Sequence, residues 1–218
     1  MVTLLFDLDG TLVHVEEKFV LQRTKKVLNQ MGIANVSHEK AMRMWFCHYD
    51  EMLFSSVGIT AKEYWKTWVD EYGDNKIDVE RISHTKVYED VKALVDLKIA
   101  GARMAIVTGS SLENASAELE MLYEEIGERV FEHIVIANSR CDVLDFKPNP
   151  ECVFVALKKL GQEKKDAFLI GNGLEDLLCA KNAGIKGVLV ERTEFEKKIT
   201  EPAFKRIRTL DELGEIMN

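Results

Sequence analysis

Proline is scarce in this chain of 218 residues: there are three, and none precedes position 148. Segment ends in the first two thirds must therefore be read from glycine and polarity, not from ring-imposed breaks. Cysteine is equally sparse. Cys47, Cys141, Cys152 and Cys179 are far apart, form no C-x-x-C and cluster with no histidine, so they read as reduced, mostly buried thiols. The five histidines (His14, His38, His48, His84, His133) show neither H-E-x-x-H nor another zinc spacing. No block of five or more Lys/Arg occurs and the net charge is -8, which makes polyanionic nucleic acid a poor partner. No apolar run reaches the roughly 20 residues that a bilayer span needs, and no basic region precedes an apolar one at the start. A cytoplasmic protein with neither a membrane nor a nucleic-acid partner is expected, and its oligomeric state stays open.

What is present is the composition of a soluble globular protein, 46% hydrophobic and 30% charged, at a length that fits one core plus one insertion. The chain opens on an apolar, β-favouring run (Val2, Leu4, Leu5, Phe6) that delivers Asp7 and Asp9 onto a Gly10-Thr11 break. Two carboxylates at that spacing could bind a hard cation, supply a nucleophile or divide acid and base duties. They could equally be an ordinary strand-to-turn junction.

Residues 16 to 31 carry a helical period closed by Gly32. Ser37 starts a second period running through Trp45 and Leu53 toward Gly58, and Thr60 with Glu63 forms a capping box for a third that ends before Gly73. Residues 74 to 87 are polar and read as a short helix or linker. From Tyr88 the pattern alternates. A helix near 91–97 leads to strand 104–107, and Ser110 with Glu113 offers a capping box for a helix to Gly127. Strand 134–136 and a helix from Pro150 to Leu160 follow, then strand 168–170, a helix to Ala183 and strand 188–190. The tail, 191–218, reads as charged helical turns. Such alternation implies an α/β fold with a mostly parallel, Rossmann-like sheet, and ligands gather beyond the carboxyl ends of its strands. Asp7, Thr108 and Asn172 all fall there.

Four stretches in order carry a resemblance: Asp7-Leu8-Asp9-Gly10-Thr11, Val107-Thr108-Gly109-Ser110, Lys147-Pro148-Asn149-Pro150 and Gly171-Asn172-Gly173-Leu174-Glu175-Asp176. Together they resemble the four motifs of the haloacid dehalogenase (HAD) superfamily across nearly the whole chain. The resemblance implies a HAD-like core over 1–14 and 86–218, with an α-helical cap of the C1 type inserted at 15–85, in the manner of phosphoglycolate phosphatase or β-phosphoglucomutase. It also implies that Asp7 attacks a phosphate and forms an aspartyl-phosphate while Asp9 serves as acid and then base. Thr108, Gly109, Ser110 and Lys147 would hold the phosphate, and Asp7, Asp9, Asn172 and Asp176 would make the Mg²⁺ site. Asp9 favours a phosphatase over a dehalogenase, because a departing alkoxide needs a proton and a halide does not.

One position departs from the pattern. Family members usually carry Asp where this chain has Asn172, and an amide oxygen is a hard ligand without charge. Either Asn172 suffices, or Glu175 or Asp176 supplies the missing charge, or the site is weakened. The expectation is thus a Mg²⁺-dependent phosphatase acting on a small phosphorylated metabolite. The alternative is a HAD-fold protein that binds phosphorylated ligands or a partner without useful turnover, and a phosphomutase or a dehalogenase is the weaker choice. The three tryptophans, Trp45, Trp65 and Trp68, read as packing within the helical insertion, with one of them free to face the pocket.

Overall fold

The computed structural model describes residues 1–46, 50–72, 76–137, 147–194 and 196–217. Cys47, His48, Gly73, the first two residues of the polar stretch 74–87 and Cys141 lie outside the described residues.

In chain order the strands and helices are β1 (Thr3–Phe6), β2 (Val13–Val15), α1 (Glu17–Gln30), α2 (His38–Phe46), α3 (Glu51–Ser55), α4 (Ala61–Tyr72), α5 (Val79–Ser83) and β3 (Thr85–Val87). There follow α6 (Ala93–Ile99), β4 (Arg103–Thr108), α7 (Leu112–Ile126), β5 (His133–Ile136), α8 (Glu151–Leu160), β6 (Ala167–Gly171), α9 (Leu174–Ala183), β7 (Lys186–Val190) and β8 (Lys205–Ile207). Six strands form one parallel sheet in the order β5-β4-β1-β6-β7-β8. This is the expected α/β, Rossmann-like architecture.

The strands are apolar on both sides because helices cover both faces. Leu4 and Phe6 of β1 join Met104, Ile106, Phe168 and Ile170 in one cluster with α6 and α7. Leu5, between them, points the other way and packs with Ala105, Val107, Leu169 and the buried residues of α8 and α9. The alternation follows the two-residue period of a strand. β1 sits at the centre, with Phe6 opposite Ile106 on one side and Ile170 on the other. That register brings Asp7, Thr108 and Asn172 to one end of the sheet.

The helical segment α1–α5 leaves the core through β2 and returns through β3, which pair antiparallel. It has its own apolar centre of Val27, Leu28, Met44, Leu53, Phe54, Ala61 and Tyr64. Trp45 and Trp68 pack with ring centroids 5.2 Å apart, and Trp65 lies 5.8 Å from Trp68. Buried Arg23 of α1 bonds Asp78 and Glu80, tying α5 to this bundle.

Three local readings change. The second helical period is two helices, because the Asp50 side chain accepts from the Leu53 N–H and starts α3 afresh. The pair β2–β3 and the edge strand β8 were not read from the sequence; at three residues each they are too short to show a period. Finally, Ser111 and not Ser110 caps α7, accepting from the Asn114 N–H at 3.2 Å. The Ser110 hydroxyl has another partner, described below. The capping box at Thr60 and Glu63 forms as read, with the Thr60 N–H donating to Glu63 at 2.7 Å.

Candidate active site

Asp7 is the first residue past β1, and its N–H continues the sheet by donating to the Ile170 carbonyl at 2.8 Å. Its carboxylate is nearly buried. Lys147 Nζ donates to Asp7 Oδ1 and to Asp176 Oδ1, each at 2.6 Å, and reaches the Val107 carbonyl at 3.3 Å. Three acceptors thus meet the three donors of one ammonium. Burial pushes the Asp7 carboxyl up to about 7, and the Asp176 carboxylate adds to the rise while Lys147 opposes it. Burial works against the Lys147 charge too, yet Asp176 and Asp7 hold its ammonium well above the usual lysine range. The peptide bond from Lys147 to Pro148 is cis.

Asp176, in the first turn of α9, also accepts from the Gly173 N–H at 2.9 Å. Both of its oxygens are therefore engaged, one by the lysine and one by the backbone. This arrangement suits a residue that places Lys147. The packing is close enough to need glycine: a Cβ on Gly171 would fall within 3.0 Å of the Asp176 side chain, and one on Gly10 within 3.0 Å of Asn172. Gly10 also holds a φ of +80° that few other residues adopt.

Asn172 stands beside Asp7. The Thr11 hydroxyl lies 3.0 Å from Asp7 Oδ2 and 3.3 Å from Asn172 Oδ1, so these two oxygens converge on one point. Asn172 Nδ2 donates to Glu196 Oε1 at 3.1 Å. A carboxylate only accepts, so Glu196 fixes the amide with its oxygen toward Asp7. Buried Glu196 is itself held by the Thr193 N–H at 2.7 Å. The sequence reading missed this residue, which lies in a charged turn with nothing to set it apart. Among the described residues no three His, Cys, Asp or Glu side chains gather as a metal cluster. A cation here would rest on one carboxylate, an amide oxygen and main-chain oxygen. Those are hard donors of the kind Mg²⁺ accepts, so the residues fit the ion.

Thr108 ends β4, and its hydroxyl accepts from the Ser110 N–H at 3.0 Å. The loop therefore closes on itself, and an incoming phosphate would compete for that N–H. Asp9 is paired with a different cation. Its carboxylate is bonded by Arg81 of α5, which also reaches the Ser110 hydroxyl at 3.1 Å and Glu118 of α7 at 2.7 Å. Here is the partner that removes Ser110 from capping duty. Glu118 is fully buried, and burial pushes its carboxyl up to about 8 against the pull of Arg81. The structure thus brings Asp7, Asp9, Thr108, Ser110, Lys147, Asn172 and Asp176 to one end of the sheet, with Gly109 in the same loop.

Comparison with known proteins decides the family. The family model described as haloacid dehalogenase-like hydrolase matches residues 4–190. The chain belongs to this family. It is a HAD-family phosphatase, similar over 86% of its length to a protein of Caldanaerobacter subterraneus provisionally named pyrophosphatase PpaX, with 29% identity over 189 residues and 80% of that protein covered. Pyrophosphatase PpaX of Bacillus mycoides is 25% identical over 215 residues, covering 99% of this chain and 94% of that one. A Lactobacillus plantarum structure, provisionally named phosphoglycolate phosphatase, superposes with a TM-score of 0.75 over 99% of this chain and 100% of that one; at 18% identity it shows the fold alone. No helix among the described residues of this HAD hydrolase is long and apolar enough to cross a membrane.

Arg81 and Glu118 were also missed by the sequence reading. Arg81 lies in a stretch read only as a polar linker, and Glu118 sits among helix glutamates that share one face with solvent in most proteins. A weak signal existed: Glu118 falls in register with Ala115 and Leu122, on the side of α7 that faces the core.

Proposed function

We propose that this HAD phosphatase releases phosphate from a small phosphorylated metabolite through an aspartyl-phosphate on Asp7, with Mg²⁺ required. The observation that carries the reading is the buried Lys147 ammonium, bonded at 2.6 Å both to Asp7 and to Asp176. A buried cation on a carboxylate favours the ionised nucleophile against the burial that opposes it, and gives the transferring phosphoryl oxygens a compensating charge. Phosphoryl transfer asks little else of a protein than placement and charge.

In this reading an Asp7 oxygen attacks phosphorus, and the bond from phosphorus to the leaving oxygen breaks with its electron pair. Asp9, two residues along, gives that oxygen a proton. Water then attacks the aspartyl-phosphate, Asp9 takes a proton from it, and Asp7 is released as a carboxylate. Thr108 and the Gly109-Ser110 backbone receive the phosphate oxygens at the mouth of α7. Asp7, the Asp9 carbonyl and Asn172 would hold Mg²⁺, which supplies further charge neutralisation when bound. The helical segment α1–α5 would act as the cap, excluding water from the phosphate and choosing the leaving group.

The relatives' names put pyrophosphate among the substrates to try first, beside phosphomonoesters. A second reading, binding without useful turnover, draws on the missing charge at Asn172. One experiment separates them: Mg²⁺-dependent phosphate release from an aryl phosphate, pyrophosphate and small phosphomonoesters, run on the parent, Asp7→Asn and Asn172→Asp. Turnover that Asp7→Asn abolishes supports the phosphatase. An inactive parent with an active Asn172→Asp variant supports the binding protein.

A further inference from the structure

We propose that Arg81 receives anionic oxygens of the leaving group, so that the site prefers substrates whose leaving group carries its own negative charge, inorganic pyrophosphate being the simplest. This deepens the phosphatase reading above and rests on it.

The two cations of the site flank its two motif carboxylates on different sides. Lys147 is spent on Asp7 and Asp176, the side where phosphorus is attacked. Arg81 is bonded to Asp9, the residue that serves the departing oxygen, and to the Ser110 hydroxyl of the phosphate loop. A guanidinium on Asp9 stands on the leaving-group side of the site in this reading, within reach of the phosphate loop through Ser110.

The Arg81 backbone is tied at both ends and its two terminal nitrogens bond Ser110, Asp9 and Glu118, so an arriving anion would exchange with these partners. The Arg81 N–H donates to Asp78 at 3.0 Å, the Asp78 N–H donates to Asn114 at 2.8 Å, and the Arg81 carbonyl accepts from Thr85 at 2.9 Å. Buried Glu118 anchors the guanidinium from below, and the Trp45 ring lies 6.0 Å from its central carbon. Yet Arg81 Nε is buried with no hydrogen-bond partner among the described residues, and so is Glu118 Oε2. A buried donor without a partner is uncommon in a folded protein, and a ligand oxygen is one way to satisfy it. A planar guanidinium takes phosphate or carboxylate oxygens in pairs, which lysine cannot do.

With pyrophosphate, Asp7 attacks one phosphorus and the bond to the bridging oxygen breaks, its electron pair leaving on the second phosphate. Asp9 supplies that oxygen's proton, and Arg81 offsets the charge of the departing anion. The leaving group of an aryl phosphate carries no negative charge of its own before the bond breaks, so it offers Arg81 only the one oxygen that departs.

The test compares kcat/KM for pyrophosphate and for p-nitrophenyl phosphate in the parent, Arg81→Ala and Arg81→Lys. The ratio of the two should fall by about 10- to 100-fold in Arg81→Ala, as loss of a charge-assisted hydrogen bond implies. Arg81→Lys should recover part of it and, by keeping the buried charge, guards against an Arg81→Ala chain that fails to fold. A ratio unmoved in either folded variant, or both substrates falling in proportion, overturns the proposal and leaves Arg81 as a support for Asp9. If the parent hydrolyses neither substrate, the phosphatase reading fails by itself. Calorimetry then decides the inference on binding: pyrophosphate affinity lost in Arg81→Ala and partly kept in Arg81→Lys upholds it, and affinity unchanged in Arg81→Ala overturns it.

Discussion

Lys147, buried, and Arg81, partly buried, are each a cation set between two carboxylates, and the chain holds them in different ways. Lys147 meets three acceptors, two of them on residues flanking the paired strands β1 and β6 and the third the carbonyl of Val107 in β4. Arg81 comes from the five-residue helix α5 and bonds Asp9, Ser110 and Glu118 of α7, with one donor unmatched among the described residues. The first cluster is complete before any ligand arrives. The second spans two parts of the molecule and has capacity to spare. A sheet with matched register gives preorganisation, whereas the contact from α5 is one that, in the proposal above, substrate would exchange for.

The sharpest way to break the first cluster is Asp7→Asn, which should lower phosphate release by at least about a thousandfold, since in the proposed mechanism it removes the nucleophile and not a supporting charge. Lys147→Ala would leave Asp7 and Asp176 buried together without their cation; denaturant titration should show a loss of about 3–5 kcal/mol. Equal stability would mean that water reaches the cluster. Gly10→Ala keeps every charge but places a Cβ against Asn172 at a φ of +80°, and should cost about 1–3 kcal/mol by the same titration.

The second cluster should betray itself by pH. Burial raises Glu118 to about 8 from the 4.5 usual for a glutamate, so folding takes up a proton between those values. Its stabilising contribution is complete below about 4.5 and is lost as pH rises through about 8. Glu118→Gln cannot lose it. The Tm of the variant relative to the parent should therefore climb across that window, and a difference that stays flat would contradict the shift.

The smallest effect is expected at Asn172→Asp. The added charge should tighten Mg²⁺ binding by about tenfold in calorimetry. It also removes the donor that faces Glu196, so the metal-free variant should melt lower than the parent, and Asn172→Asp with Glu196→Gln should restore it. No gain in affinity would show that the amide oxygen already suffices.

Much of the first cluster was legible in the sequence because it lies in short motifs beside strong strand patterns. Leu4, Leu5 and Phe6 mark a buried strand, and the residue that follows it must lie at the sheet's end. Met104 to Val107 and Phe168 to Ile170 do the same for Thr108 and Asn172. The second cluster had no such marker. Arg81 belongs to a five-residue helix too short to show a period, and its partners lie 72, 37 and 29 positions away. Glu196 was hidden for the same reason, 24 positions beyond Asn172.

By itself, then, the sequence determined the parallel α/β core and which loops stand at its carboxyl end, because hydrophobic period and glycine breaks are local properties. Which side chains those loops hand to one another was decided only in three dimensions. Asp176 gives its oxygens to Lys147 and a backbone N–H, Glu196 turns the Asn172 amide, and Arg81 crosses from the insertion to Asp9. Pairings of this kind depend on strand register and on how an inserted bundle is seated, and no window of neighbouring residues contains either.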